Sequence, residues 1–141
     1  MKDKLTTADY PIAEKRPELI RTRSGKALDV ITLERVVAGE VTLEDLRITP
    51  GALRFQAEIA RATGRATLAA NFERAAELVD VPEDVIMRVY ELLRPGRSTS
   101  KNALLDAARH LREAYGAERM AAFVEEAAEV YERRGLFKYR F

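Results

Sequence analysis

Residues 65–93 read RATLAANFERAAELVDVPEDVIMRVYELL. Two helical periods lie in this stretch, on either side of Val81 and Pro82. In the first, Leu68, Phe72, Ala75 and Val79 recur at i, i+4, i+7 and i+11, which predicts a single apolar stripe along a helix. In the second, opened by Pro82, the residues Val85, Ile86, Val89, Tyr90, Leu92 and Leu93 spread over a wide face that halts at Arg94 and Pro95. No alternation of period two competes, so the stretch argues for helices packed on helices.

The same punctuation continues outward. Upstream, Thr49 and Pro50 form an N-cap and first-turn proline for ALRFQAEIARAT, which ends at Gly64. Its two sides carry Leu53, Ala57 and Ala60, and Phe55, Ile59 and Ala62, and both are expected to be buried. Before it, Thr32 can cap LERVVA with Gly39 as the stop, and Thr42 can cap LEDL, with Asp45 in the acidic place of a capping box. Downstream, Leu104, Ala108, Leu111 and Tyr115 repeat the helical spacing until Gly116. The last run, AERMAAFVEEAAEVYERR, carries Met120, Phe123, Val124, Ala127, Val130 and Tyr131 as far as Gly135.

The two ends break this pattern. Residues 1 to about 30 hold Pro11, Pro17 and Gly25 among charges, without a sustained period, and read as an extended arm. Its apolar residues are too many for a solvated tail, so it lies either on another surface or along its own helical body. The C-terminal LFKYRF alternates Leu136, Phe137, Tyr139 and Phe141 with basic residues, and the same two options apply to it. The expected fold is all-α: an open three-helix-type bundle over 49–141 with an aromatic C-terminal tail, preceded by an irregular N-terminal subdomain over 1–48.

Composition excludes several functions. The 141 residues contain 24 Lys and Arg against 23 Asp and Glu, a net charge of +1, which gives no broad field for nucleic acid or an anionic membrane. Cysteine is absent, so disulfides, thiolate chemistry and sulfur-ligated metals are excluded. No apolar run of spanning length occurs, and the charged N-terminus is unlike a signal peptide, so a cytoplasmic location is expected. The segment LRPGRSTSK (93–101) invites comparison with a phosphate-binding loop but lacks the second glycine and the preceding strand. Pro95 and Gly96 instead read as a helix stop and turn, with Ser98, Thr99 or Ser100 capping the next helix. His110 is the only histidine and cannot build a transition-metal site or a nucleophile triad by itself. The carboxylates interleave with arginines at helical spacings and read as solvated ion-paired faces.

Several long segments, in order, resemble one family. These are DYPIAEKRPE (9–18), SGKALDVITLERVVAGEV (24–41), DLRITPGALRFQAEIA (45–60), NFERAAELVDVPEDVIMRVYELLRPGRST (71–99) and AAFVEEAAEVYERRGL (121–136). Together they resemble the small (gamma) subunit of adenosylcobalamin-dependent diol and glycerol dehydratases. The resemblance implies a hetero-oligomer with two copies each of large (alpha), medium (beta) and small subunits, a carbon–oxygen lyase that turns 1,2-diols or glycerol into aldehydes by a radical route. It implies further that adenosylcobalamin and a metal ion are held by the other subunits, so this chain has no catalytic, cofactor or metal residues. It implies direct attachment to the large subunit and any microcompartment association through other subunits, since only eight residues precede Asp9 where encapsulated members carry an extension. Relatives often have an aromatic residue at the place of Gly96. The residues expected to touch a neighbouring subunit are Tyr10, Pro11, Arg94, Arg97 and Phe137. A different class, a small helical nucleic-acid-binding or regulatory adaptor, is the alternative, on the strength of the short helices around 42–63.

Overall fold

The computed structural model describes residues 4–138. The fold is all-α: among the described residues the one β-type feature is an isolated bridge between Arg21 and Ala27. Tyr139 and Phe141 of the aromatic tail lie outside the described residues. The chain divides after Val79 into two compact units, Met1–Val79 and Asp80–Phe141.

The first unit begins with short 3-10 turns and α1 (Ile12–Lys15). Of the two options for the arm, the structure takes the second for Leu5 and Ile12, which are buried against Ile59, with Leu19, Ile20 and Phe55 packed around them. The Leu5 amide also donates to Glu58 Oε2 at 2.9 Å, which ties the start of the arm to the helix carrying Ile59. Next come α2 (Leu33–Val37) and α3 (Leu43–Leu46), capped as the sequence predicts. The Thr32 hydroxyl accepts from the Arg35 amide, and the Asp45 carboxylate accepts from the Thr42 amide at 3.0 Å.

Asp45 does more than cap. It is buried, takes a salt bridge from Lys26 Nζ at 2.7 Å and accepts from the Ser24 hydroxyl. The ammonium, the hydroxyl and the Thr42 amide, in that order, hold its carboxyl far below the usual value of 3.8. Because the folded value is depressed, the stabilisation is present above the ordinary carboxyl pKa and is withdrawn as pH falls below it. Asp9, lowered by the Thr6 amide and Arg16, and Glu125, lowered by Arg112, act in the same direction. We therefore expect the unfolding free energy to fall progressively as the pH drops below about 5. Urea titrations should show Asp45→Asn less stable at neutral pH and with a shallower acid slope; equal slopes would exclude Asp45 as a contributor.

Helices α4 (Pro50–Ala62) and α5 (Ala66–Leu78) form a packed hairpin. Thr49 caps α4 by accepting from the Ala52 amide at 3.1 Å. Its C-terminus closes with amides of Gly64 and Arg65 reaching back to the carbonyls of Arg61 and Ala60, a turn that needs the positive φ of 77° found at Gly64. The seam differs from the predicted stripe. Leu68 is exposed and Phe72, Ala75 and Val79 are only half-buried, whereas Ala69 and Ala76 are buried, and Ala69 meets Ala57 and Ala60 of α4 with Phe72 alongside. Alanine side chains let the helices approach closely, and that rotates the contact line away from the larger residues. Ala62, expected to be buried, is exposed.

The second unit contains α6 (Glu83–Leu93), α7 (Lys101–Tyr115) and α8 (Glu118–Arg133). The α6–α7 turn resolves the three candidate caps: Ser100 accepts from the Ala103 amide at 3.2 Å, while the buried Ser98 hydroxyl donates to the Ser100 carbonyl. Helices α7 and α8 pack together. Leu104, Ala108 and Leu111 are buried on α7 as predicted, but on α8 the buried line is Ala121, Val124 and Ala128, and Phe123 faces outward. Arg112 clamps the hairpin through paired bonds of 2.7 and 2.9 Å to Glu125, and Lys101 bridges to Glu129 and Glu132 at 2.7 Å each.

Candidate subunit interface

Each residue expected at an interface has a definite place. Tyr10 follows a turn whose start is boxed by Thr6 and Asp9, with the Thr6 amide donating to Asp9 Oδ2 at 2.8 Å. Arg16 holds the other side of Asp9 at 3.0 Å. This fixes the backbone on both sides of Tyr10 and the exposed Pro11, so the tyrosine ring stands out from an ordered arm with 58% of its surface exposed. It edges an apolar hollow of about 380 Å³, which Ile59, Leu68 and Phe72 also line. An exposed ring over an apolar hollow is a composition found at the centres of protein interfaces.

In the second unit, Arg94 ends α6 and is exposed, with its guanidinium on Glu91 at 3.0 Å. The Arg97 amide donates to the Arg94 carbonyl at 3.0 Å, closing the turn that places both arginines at the end of the helix. Phe137 is reached through another glycine turn: at Gly135 (φ 64°) the amides of Gly135 and Leu136 return to the carbonyls of Glu132 and Tyr131. The chain then folds back so that the half-buried Phe137 ring meets Tyr131 edge-on at 6.2 Å, and the Tyr131 hydroxyl donates to the Leu93 carbonyl. Leu93 precedes Arg94, so Arg94 and Phe137 are linked through Tyr131. Tyr10 and Pro11 belong to the first unit.

Two residues were not among those expected at an interface: Met87, and Tyr90, which the sequence placed on the apolar face of α6. Met87 and Tyr90 are 49% and 55% exposed and stand one turn apart on α6, with Arg94 one further turn along. The signal was the width of the predicted apolar face, because a helix that buries only Val85 and Val89 has more large apolar residues than its own unit can cover. Methionine, tyrosine and arginine are the types enriched in interface cores.

Among the described residues, no group of three His, Cys, Asp or Glu side chains is placed to hold a metal ion. His110 is exposed and packs edge-on against Tyr115 at 5.5 Å. Every buried side-chain nitrogen or oxygen among the described residues has a hydrogen-bond partner. No helix among them is long and apolar enough to cross a membrane.

Ordered, exposed aromatic and arginine side chains are thus what the described residues of this all-α fold present to their surroundings. Residues 5–138 match the family described as dehydratase small subunit. The propanediol dehydratase small subunit of Citrobacter freundii is 52% identical over 130 residues, covering 92% of this chain and 75% of the relative. That of Salmonella typhimurium is 52% identical over 131 residues, covering 93% and 75%. The chain belongs to the dehydratase small-subunit family, as its DYP, LRIT and NFERAAEL segments imply. No finding favours the nucleic-acid-binding or adaptor alternative.

Proposed function

We propose that the chain is the non-catalytic small subunit of an adenosylcobalamin-dependent propanediol or glycerol dehydratase, a carbon–oxygen lyase assembled with large and medium subunits in two copies each. The observation that carries this reading is the 52% identity to two propanediol dehydratase small subunits across more than nine-tenths of the chain. When bound, adenosylcobalamin supplies the radical that starts dehydration of the diol. The side chains described above do not suit that group or a metal ion, because the one histidine is exposed on a ring partner and the carboxylates are dispersed. We therefore assign both to the other subunits, and to this chain the task of completing the assembly in the cytoplasm, with any encapsulation directed by its partners.

Tyr10, Pro11, Arg94, Arg97 and Phe137 are the residues proposed to meet a neighbour, with Met87 and Tyr90 added on α6. Supporting this are the ordered exposure of Tyr10 and the grouping of Arg94 with exposed tyrosine and methionine. Co-expression with the large and medium subunits should give one complex on size exclusion and coenzyme-dependent aldehyde formation. A small subunit that elutes alone would defeat the reading. In that complex, Arg94→Glu should weaken small-subunit association roughly tenfold or more, with the KM for diol unchanged. A raised KM in an intact complex would place Arg94 near the substrate path instead.

A further inference from the structure

Residues 28–48 display large apolar side chains that their own unit does not cover. Leu33 and Val37, one turn apart on α2, are 78% and 79% exposed, and on or just after α3 Leu43 is 81%, Leu46 53% and Ile48 56% exposed. Within this stretch only Val41 and Asp45 are buried. The segment is thus pinned at two points, one of them the Asp45 network, and holds Leu33, Val37, Leu43 and Leu46 outward on capped helices. Leu28, Ile31, Leu46 and Ile48 also line an open cleft of about 240 Å³. That lies below the ~300–1,000 Å³ of small-molecule sites and suits an inserted side chain better than a ligand.

Charge identifies the occupant. Residues 28–48 contain five carboxylates and two arginines. Arg35 pairs with Glu40 at 3.5 Å and Arg47 with Glu44 at 3.1 Å, while Asp29 and Glu34 have no ion-pair partner among the described residues. A second copy of the chain would bring the same acidic excess against this rim, and nucleic acid or an anionic lipid surface would be repelled by it. We infer that the α2–α3 face docks on a neighbouring dehydratase subunit whose contact surface is apolar at its centre and carries lysine or arginine opposite Asp29 and Glu34. This rests on the functional reading above and adds a second contact region that the sequence did not reveal.

The test uses the full chain with the large and medium dehydratase subunits of the same organism. The substitutions Leu33→Asp with Val37→Asp alter side chains more than three-quarters exposed, so the circular dichroism and melting of the free chain should be unchanged. The double variant should lose co-elution, its Kd rising at least ~100-fold. Leu43→Gln, which adds no charge, should weaken binding in the same direction. Glu34→Lys should slow association several-fold at about 50 mM salt and hardly at all at about 500 mM. If wild type co-elutes and both the double variant and Leu43→Gln bind with unchanged Kd, the face is not an interface and only this inference falls. If wild type itself fails to co-elute, the functional reading and the named partner fall together. A concentration-dependent dimer of the free chain, abolished by the same substitutions, would make the occupant a second copy and overturn the assignment.

Discussion

Leu104→Ala should lower the stability of the C-terminal unit by about 2–5 kcal/mol, toward the upper end of that range. Leu104 is fully buried on α7, and with Leu111 and Val124 it is among the largest fully buried side chains. The cost of such a deletion depends on whether neighbours can collapse into the void. Here many buried residues of α7, α8 and the turn between them are alanines, namely Ala108, Ala117, Ala121 and Ala128, whose side chains end at Cβ and have no rotamer with which to fill space. For a unit of this size the thermal midpoint should drop by roughly 10 °C or more. Met87→Ala, at an exposed position of α6, should change stability by no more than about 0.5 kcal/mol and serves as the comparison. A loss near 1 kcal/mol for Leu104→Ala would mean that α7 and α8 close up around the deletion.

Ile12→Ala should release the N-terminal arm. Ile12 is 3% exposed and, with Leu5, is buried against Ile59 of α4. Truncating an isoleucine in such a site removes about 2–5 kcal/mol of local packing. The Leu5 amide bond to Glu58 is exposed to competition from water once that cluster opens. Local opening should therefore become at least ~10-fold more populated, and limited trypsin cleavage after Lys15 should accelerate accordingly. Because Tyr10 is carried by this arm, the variant should also assemble poorly with other dehydratase subunits while retaining its own tyrosine. Unchanged cleavage would show that the arm is held by contacts other than Ile12.

The elements were legible because they are marked by residues whose local chemistry leaves little choice. Thr32 and Thr49 cap by accepting free amides, Asp45 reaches back to Thr42, and Gly64, Gly116 and Gly135 take up positive φ where helices end. The buried faces were less legible. Leu68 and Phe72 make a stronger pattern than Ala69 and Ala76, but close helix approach selects the smaller residues for the seam. For the same reason Phe123 faces outward on α8 while Ala121 and Ala128 are buried. The fate of Leu5 and Ile12 was undecidable from the sequence, since an apolar residue in an irregular segment carries no period to say which surface it meets. The exposure of Leu33, Val37 and Leu43 had the same cause: their caps were readable, their lack of cover was not.

The alanine seams also determine how this chain can drift over generations. A position occupied by leucine can pass through methionine or isoleucine with modest loss, because similar volumes repack. At Ala57, Ala69, Ala121 and Ala128 no such neutral neighbour exists. Glycine loosens the helix, serine buries a hydroxyl, and valine adds volume to a seam that is already buried. Substitutions at these positions should be purged even though each contributes little area. Variation should collect instead on the outward leucines and aromatics, where only a partner can object. Lineages in which the partner changes its surface can then revise the display side chain by side chain, without disturbing the hairpins beneath.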